Sequence, residues 1–200
     1  MSITFQKILI LTAPSGAGKT SITQYLMGAF PQLAFSISAA TRLPRGNEKD
    51  GQDYYFMSEE QFKEKIKHKE FAEWEMVYEG KYYGTLKSEL ERIWALKKIP
   101  VLDIDVKGAI HVQQQYPINT LTIFIEPPSV EELQRRLTSR GTETSASLEA
   151  RISKASYEIS FKEHFDEILL NEDLETACAS AKKMVDAFLK VAEYKSKEVN

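Results

Sequence analysis

The chain has one cysteine and no long apolar stretch, and these two absences restrict the classes of protein to which it can belong. Its single cysteine, Cys178, excludes an intramolecular disulfide and fits a reducing compartment, so we expect a cytoplasmic protein. Cys178 lies on an apolar helical stripe and is expected to pack in the core. No uninterrupted apolar stretch approaches the roughly 20 residues of a membrane span. Lys7 interrupts the N-terminal segment where a signal peptide would need its apolar core, so we expect none.

The chain also lacks a large excess of charge of either sign. Its 26 Lys and Arg residues against 29 Asp and Glu residues give a net charge of −3. This balance argues against a broad surface for nucleic acid or for acidic membranes, so basic groups must serve local anions. The length of 200 residues and the 42% hydrophobic content suit one globular domain, with or without small inserted lobes.

The first motif is a strand, a glycine-bearing loop and a helix in immediate succession over residues 7–21, KILILTAPSGAGKTS. The apolar run before the loop is typical of a strand buried on both faces, and apolar residues after it recur at helical spacing. Amides at a helix N-terminus favour phosphate, Lys19 can contact the β- and γ-phosphates, and Thr20 can reach Mg²⁺. A tight turn with a solvated Lys19 is the weaker alternative. The pattern predicts a nucleoside triphosphate site, formed by Ala13, Pro14, Ser15, Gly16, Ala17, Gly18, Lys19 and Thr20.

A second group of polar side chains occupies residues 35–56, FSISAATRLPRGNEKDGQDYYF. Arg42, Arg45 and Tyr54 offer donors suited to a dianionic phosphate, and Ser38 adds a hydroxyl. Taken alone, this stretch is better explained as a polar loop with solvated arginines, because exposed charge is common.

Two aspartates occur in the apolar segment VLDID, residues 101–105. We expect a strand there, and alternation would put Asp103 and Asp105 on the same face. Unpaired carboxylates are too unfavourable in a core, so the alternatives are a helix cap or a site for a donor group or hydrated Mg²⁺. Ligands bind beyond the carboxyl ends of parallel strands, so the nearby phosphate loop favours the site.

Several arginines lie on two helices predicted after residue 128. Arg136 and Arg140 share a face at i and i+4, and Arg151 lies on the second helix. A polar helical hairpin with these arginines is typical of a mobile cover for phosphates. A solvated helix pair explains this stretch equally well.

Together, these motifs resemble the guanylate kinase family. The resemblance covers nearly the whole chain, through APSGAGKT, SAATRLPRGNEKDGQDYYF, EFAEWEMVYEGKYYGT, VLDIDVKG, PPSVEELQRRLTSRGTE and LLNEDLE. It implies an α/β fold: a three-layer α/β/α P-loop core with a parallel sheet, an inserted GMP-binding lobe with short strands, and a helical lid. The implied core is 1–35, 87–128 and 159–200, with the GMP-binding lobe at 36–86 and the lid with its flanking helix at 129–158.

The resemblance also implies an activity, in which the γ-phosphoryl group of ATP passes to GMP, with Mg²⁺ accompanying ATP. It implies these two small-molecule substrates and no nucleic-acid or membrane partner. The GMP phosphate would contact Ser38, Arg42, Arg45, Tyr54 and Tyr83, with Glu48 supporting the arginine loop, and guanine would contact Glu73, Thr85 and Asp103. ATP would contact the loop and Asn171, with Lys19, Arg42, Arg136, Arg140 and Arg151 as catalytic cations. Thr20 would bind Mg²⁺, through water with Asp103 or Asp105.

Two rival functions are weaker on the same residues. A catalytically silent guanylate-kinase-like binding module should have lost loop or arginine residues, whereas this chain keeps Lys19 and Thr20. A P-loop kinase for another acceptor has no reason to combine Glu73, Thr85 and Asp103. A carboxylate can accept both N1–H and the exocyclic amine of guanine, while adenine has no N1 proton to donate. Departures from the family are Ala13 for glycine, Ala40 for a frequent threonine, and Thr85 where serine is also common.

Overall fold

The computed structural model describes residues 6–139 and 145–191, which form two sheets and the helices around them. In chain order the elements are β1 (Ile8–Thr12), α1 (Lys19–Ala29), β2 (Leu33–Phe35), β3 (Ala39–Ala40), β4 (Tyr55–Phe56), α2 (Glu59–Lys67), β5 (Phe71–Tyr78), β6 (Lys81–Leu86), α3 (Lys87–Ala95), β7 (Ile99–Asp103), α4 (Val106–Gln115), β8 (Thr120–Glu126), α5 (Val130–Ser139), α6 (Ser145–Ile159), β9 (Glu167–Leu170) and α7 (Leu174–Lys190).

The larger sheet is parallel and has β1 at its centre. Its strand order is β2-β7-β1-β8-β9, and all of its strand pairs are parallel. All five residues of β1 are buried, which explains its continuous apolar sequence. The loop after β1 therefore starts from the middle of the carboxyl edge of the sheet, where open α/β sheets bind ligands.

Helices cover both faces of this sheet. Leu9 and Leu11 pack into a core with residues of α1, α5, α6 and α7. Ile8 and Ile10 point the opposite way and pack with residues of α3 and α4. Alternation along one strand thus builds two cores, and the predicted three-layer α/β/α arrangement is confirmed.

A small sheet, formed by β4, β3, β6 and β5 in that order, lies between β2 and α3 in the sequence. The antiparallel pair β5 and β6 forms a hairpin that turns at Gly80, whose φ is 69°. Helix α2 packs on this sheet through Phe62, which stacks on Phe71 with ring centroids 4.2 Å apart. A capping box starts α2, since the side chains of Ser58 and Gln61 each accept the other's backbone N–H.

One element differs from the sequence prediction in a way that concerns the site. Strand β7 ends at Asp103, and Asp105 is the N-cap residue of α4, where its carboxylate accepts the Gly108 N–H at 2.8 Å. The prediction of one strand carrying both aspartates is therefore wrong. The helix-cap alternative holds for Asp105, because its carboxylate satisfies an amide that has no partner within the helix.

The C-terminal helix α7 buries its predicted apolar stripe. Cys178 is 7% exposed on that stripe, and burial raises the pKa of its thiol, so it packs as predicted. Within the described part of the chain, no helix has both the length and the apolar character that crossing a membrane requires.

Lys7, next to β1, is buried and contacts the end of α7. Its Nζ donates hydrogen bonds to the carbonyl oxygens of Phe188 at 2.6 Å, Leu189 at 3.2 Å and Val191. A cation at a helix C-terminus satisfies carbonyls that have no partner within the helix and opposes the negative end of the helix dipole. Lys7 therefore joins the first strand to the last helix.

Candidate functional site

The phosphate-type loop lies between β1 and the N-terminus of α1. Gly16 and Gly18 have φ values of 94° and 98°, a left-handed conformation that favours glycine. Gly18 is the N-cap residue of α1, and the first turn of this helix contains no acidic residue. The positive end of the helix dipole is therefore available to an anion.

A cleft of about 410 Å³, here called the loop cleft, opens in front of this loop. The loop forms one wall, the segment from Asp103 to Asp105 forms another, and α6 contributes Arg151, Lys154 and Glu158. Lys19 lies in the cleft, where it pairs with the carboxylate of Asp103 and donates to the Ile104 carbonyl at 3.4 Å. The cleft therefore combines main-chain amides with a lysine whose ion pair with Asp103 could be replaced by one with a bound phosphate.

Asn171, which follows β9, supports the loop from behind. Its Nδ2 donates to the Ala17 carbonyl at 2.7 Å, while its Oδ1 is buried without a hydrogen-bond partner among the described residues. A Cβ on Gly18 would lie 2.2 Å from that Nδ2, so only glycine fits against this side chain. Asn171 thus helps to fix the backbone of the loop, a role that sequence reasoning did not predict.

Arg42 is held rigidly beside the small sheet. Its guanidinium donates to both carboxylate oxygens of Glu48, at 2.5 and 2.8 Å, and lies 4.6 Å from the centroid of the Tyr54 ring. Glu48 also accepts the Arg45 backbone N–H at 2.8 Å. The hydrogen bond to Glu48 raises the pKa of Arg42, and the same bond lowers the pKa of Glu48 to about 2. Glu48 therefore fixes the conformation of the segment that carries both arginines.

A second cleft of about 170 Å³, the small-sheet cleft, adjoins the loop cleft. It brings together Ser38, Tyr54, Glu73 and Tyr83 from the small sheet and its connections. Arg42, Arg45 and Thr85 do not line it directly. The guanidinium of Arg42 lies over the Tyr54 ring, and Arg45 is exposed on the same loop. Thr85 is buried and contacts Glu73 through its hydroxyl.

Glu73 is the buried carboxylate of this second cleft. It is 5% exposed, and its Oε1 accepts the Thr85 hydroxyl at 2.6 Å. Burial raises the pKa of Glu73 to about 7, and the negative charge of Asp105 acts in the same direction. A Cβ on Gly108 would lie 2.8 Å from Glu73 Oε2, so the close approach of α4 to this carboxylate depends on glycine. Glu73 is thus an oriented acceptor that changes charge near neutral pH.

The two clefts meet at the carboxyl end of β7. Asp103, Ile104 and Asp105 line both of them. An anion bound at the loop and a ligand bound on the small sheet would therefore face each other across three residues. Such an arrangement can position two bound groups for direct transfer between them.

The arginines of the predicted lid occupy different places. Arg151 reaches the loop, where its Nη1 donates to Ser15 Oγ at 2.6 Å. Arg136 does not line the loop cleft; it pairs with Glu132 at 2.8 Å and donates to the Asn171 carbonyl at 3.1 Å. Arg140 lies outside the described residues.

Sequence reasoning missed two charged residues of α6. Glu158 is 6% exposed in the wall of the loop cleft, burial raises its pKa, and its nearest cation is Lys154 at 3.6 Å. The spacing of Arg151, Lys154 and Glu158, at i, i+3 and i+7, places all three on one helical face. That periodicity is visible in the sequence and was the available signal.

A phosphate loop on a three-layer parallel core, facing a second cleft with a rigid arginine loop and a buried carboxylate, defines a P-loop kinase that acts on a nucleotide acceptor. Comparison with known proteins identifies the family. Residues 5–188 match the family model described as guanylate kinase. The chain is 47% identical to a guanylate kinase of Bacteroides fragilis, covering 92% of this chain and 90% of the relative, and 44% identical to one of Porphyromonas gingivalis, covering 92% and 98%.

Comparison with solved structures identifies the same family. The crystal structure of guanylate kinase from Anaplasma phagocytophilum superposes with a TM-score of 0.72 at 31% identity, covering 92% of this chain and 87% of that one. The chain belongs to the guanylate kinase family, and its reaction is the transfer of the γ-phosphoryl group of ATP to GMP, which yields ADP and GDP.

Proposed function

We propose that the loop cleft holds ATP and the small-sheet cleft holds GMP, with the two phosphate chains meeting beside Asp103 and Asp105. The observation that carries this assignment is the shared wall of the two clefts. In this proposal residues 36–86 form a GMP-binding lobe, residues 129–158 form the lid with its flanking helix, and 1–35, 87–128 and 159–200 form the core.

On the GMP side, the phosphate binds to the rigid arginine loop and neighbouring hydroxyls: Ser38, Arg42, Arg45, Tyr54 and Tyr83. Glu73 accepts N1–H and the exocyclic amine of guanine. The Thr85 hydroxyl, which holds Glu73 in the free protein, turns to donate to O6. Asp103 also contacts guanine, and so does Asp105, whose charge already acts on Glu73. Leaving a buried acceptor without a donor costs about 1 to 3 kcal/mol, which disfavours adenine.

On the ATP side, the loop amides, Lys19 and the lid arginines Arg136, Arg140 and Arg151 bind the phosphates. Asn171 acts on ATP through the loop, because its Nδ2 holds the Ala17 carbonyl while its Oδ1 is buried behind the loop. The residues present fit Mg²⁺: Thr20 and Asp103 face the loop cleft, and the described residues contain no protein cage of three or more ligands. Mg²⁺ usually takes one or two protein ligands and completes its shell with phosphates and water. Thr20, with Asp103 or Asp105 through water, would hold it, and it would supply charge neutralisation.

The transfer needs no protein base. The attacking phosphate oxygen of GMP is largely ionised at neutral pH, because a phosphate monoester has a second pKa of about 6. The obstacle is repulsion between two polyanions, so the protein contributes position and positive charge through Lys19 and the arginines. Closure of the lobe and the lid would exclude water that otherwise hydrolyses ATP.

An ADP-release assay with ATP and Mg²⁺ tests the proposal, with GMP, AMP, CMP and UMP offered in turn. We expect turnover with GMP alone. Lys19→Ala and Arg42→Ala should each lower turnover by about 100-fold or more, the usual effect of removing a group that stabilises transition-state charge. Lys183→Ala, an exposed substitution on α7, is the matched control. Unchanged turnover in both site variants would remove these residues from the proposed mechanism.

A further inference from the structure

A third cavity of about 220 Å³, the interlobe cavity, separates the small sheet from α6. Residues Glu75 to Val77 of β5 form one wall, and Lys154, Tyr157 and Glu158 of α6 form the opposite wall. The two walls belong to the lobe that would bind GMP and to the lid with its flanking helix. The cavity is therefore the gap that closure would narrow.

Opposite charges face each other across this gap. Glu75 is half-buried on the same strand face as Glu73, and within the described part of the chain it has no hydrogen bond or ion pair. Lys154 is half exposed, and its distance of 3.6 Å to Glu158 is longer than the 2.7–2.9 Å typical of a charge-assisted hydrogen bond. A carboxylate without a partner and a loosely held lysine therefore line one cavity.

Helix α6 connects this cavity to the loop cleft. Lys154 and Glu158 line both spaces, and Arg151, one turn earlier, already contacts the loop through Ser15. A helix moves as a unit over such a short length. A contact made at Lys154 is therefore transmitted to the position of Arg151 at the ATP phosphates.

We propose that Glu75 and Lys154 form an ion pair across the interlobe cavity when the GMP-binding lobe closes, and that this pair couples GMP binding to ATP binding. The inference rests on the proposed function, because it takes the two clefts to be the GMP and ATP sites. Pairing would also neutralise Glu75, whose negative charge disfavours ionisation of the neighbouring Glu73. By thermodynamic linkage, each nucleotide then strengthens the binding of the other by the same factor.

Two other roles for Glu75 have to be separated from this one. Lys107 also lines the cavity, with its Nζ 5.7 Å from the centroid of the Tyr157 ring, and it is the alternative cation. Glu75 also lines the small-sheet cleft, where it could contact GMP directly. In that second case its effect on GMP binding would not depend on ATP.

Calorimetric titration of the full chain with GMP, with and without a non-hydrolysable ATP analogue and Mg²⁺, measures the coupling factor. In the wild type the analogue should tighten GMP binding. Glu75→Gln and Lys154→Gln should each reduce that factor by about fivefold, within the range of a partly exposed ion pair and of allosteric coupling. The exchanged pair, Glu75→Lys with Lys154→Glu, should recover most of the loss.

Glu79→Gln on the same hairpin and Lys107→Gln are the matched controls and should leave the coupling unchanged.

Three results would overturn the inference while leaving the proposed function intact. These are an equal loss of GMP affinity in Glu75→Gln with and without the analogue, no recovery in the exchanged pair, and a loss of coupling in Lys107→Gln in place of Lys154→Gln. A wild type that binds neither GMP nor the analogue overturns the proposed function and this inference together.

Discussion

Glu73 is a carboxylate whose charge the fold opposes. Burial raises its pKa from 4.5 to about 7, and the Thr85 hydroxyl only partly offsets that effect. Between these two pH values the native state binds more protons than the unfolded state, so this residue makes the protein less stable as pH rises. The group that we propose to recognise guanine in its ionised form thus lowers the stability of the free protein, as is common for functional groups.

Replacing Glu73 with glutamine should therefore stabilise the protein in a pH-dependent way. At pH 4, below the unfolded value of 4.5, both versions are largely neutral at this position in the folded and the unfolded state and should unfold at similar urea concentrations. At pH 8 the variant should be more stable, by at most about 3 kcal/mol, the equivalent of the pKa difference. Urea unfolding at the two pH values measures this. Glu79→Gln serves as the exposed control, and an equal difference at both pH values for Glu73→Gln would contradict the raised pKa.

GMP binding should have the opposite pH dependence. If the ionised Glu73 accepts two donors of guanine, as proposed, GMP affinity should rise by about tenfold between pH 6 and pH 8, as expected for a group with a pKa near 7. Ionisation of the GMP phosphate also contributes in this range, and Glu73→Gln removes only the part that belongs to the protein. Calorimetric titration of both proteins separates the two contributions, and identical pH profiles would exclude Glu73 from guanine recognition.

At this scale, the sequence identified residue types better than it identified their environment. The spacing of APSGAGKT is sufficient to predict that Lys19 and Thr20 lie beside a phosphate-type loop, because a local pattern determines that geometry. The burial of Glu73 and the part that Asn171 plays behind the loop depend on α4 and β9, which are distant in sequence. No local pattern contains that information.

At the scale of secondary-structure elements, Glu89 of α3 joins the core to the small sheet. Its side chain is fully buried and accepts hydrogen bonds from the Ile37 N–H at 3.0 Å, the Tyr55 hydroxyl at 2.8 Å and the Arg92 guanidinium at 2.7 and 2.8 Å. Burial alone would raise its pKa, but these donors outweigh burial and lower it. Ile37 lies between β2 and β3, so Glu89 fixes the connection where the chain leaves the core.

Glu89→Gln should destabilise the protein by about 2 kcal/mol at pH 7, because hydrogen bonds to a charged group contribute roughly 1.5–3 kcal/mol. A lowered pKa means that this stability is present above the unfolded value of 4.5 and is lost as pH falls below it. The difference between wild type and variant should therefore shrink under acidic conditions. Denaturant unfolding from pH 7 to pH 4 measures this difference.

Tyr55→Phe, which removes one donor to Glu89, should lower the free energy of unfolding by about 1 kcal/mol. A Glu89→Gln variant as stable as wild type at pH 7 would contradict the role of Glu89.

Sequence periodicity can identify the longer elements. Helix α2 and the hairpin of β5 and β6 extend over several repeats of their pattern and carry their own cap or turn signals. Strands β3 and β4 have two residues each, which is too short to show alternation, so the sequence of this segment indicates a polar loop and no strand. The misplacement of Asp105 has the same cause, since one residue separates strand β7 from its helix-cap position.

At the scale of the whole molecule, the buried ammonium group of Lys7 holds the two ends of the fold together. It donates to three carbonyls at the end of α7, and its burial lowers its pKa. Lys7→Met keeps the length of the side chain but leaves those carbonyls without their donor. We expect a loss of about 2 kcal/mol in the free energy of unfolding, since buried acceptors without partners cost roughly 1–3 kcal/mol. Urea unfolding measures it, with the exposed Lys190→Met as control, and equal stability of the two variants would contradict the role.

The order of motifs was enough to predict the global architecture. A parallel sheet with its phosphate loop after the central strand follows from strand–loop–helix patterning and from the family resemblance. The meeting of two clefts at Asp103 and Asp105 was outside the reach of local patterns, because it depends on where the small sheet lies relative to β7. The gap between Glu75 and Lys154 was hidden for the same reason.

The central position of β1 has a consequence during synthesis of the chain. Strand β1 is synthesised before β7 and β8, which are its two neighbours in the sheet and which end at Asp103 and Glu126. It therefore has no strand to pair with until they have been made. At 5–20 residues per second, translation takes several seconds to produce them. Until β7 has been made, the loop between β1 and α1 has no neighbouring strand of the sheet to support it, so a nascent chain that stops before residue 99 should not be retained on immobilised ATP.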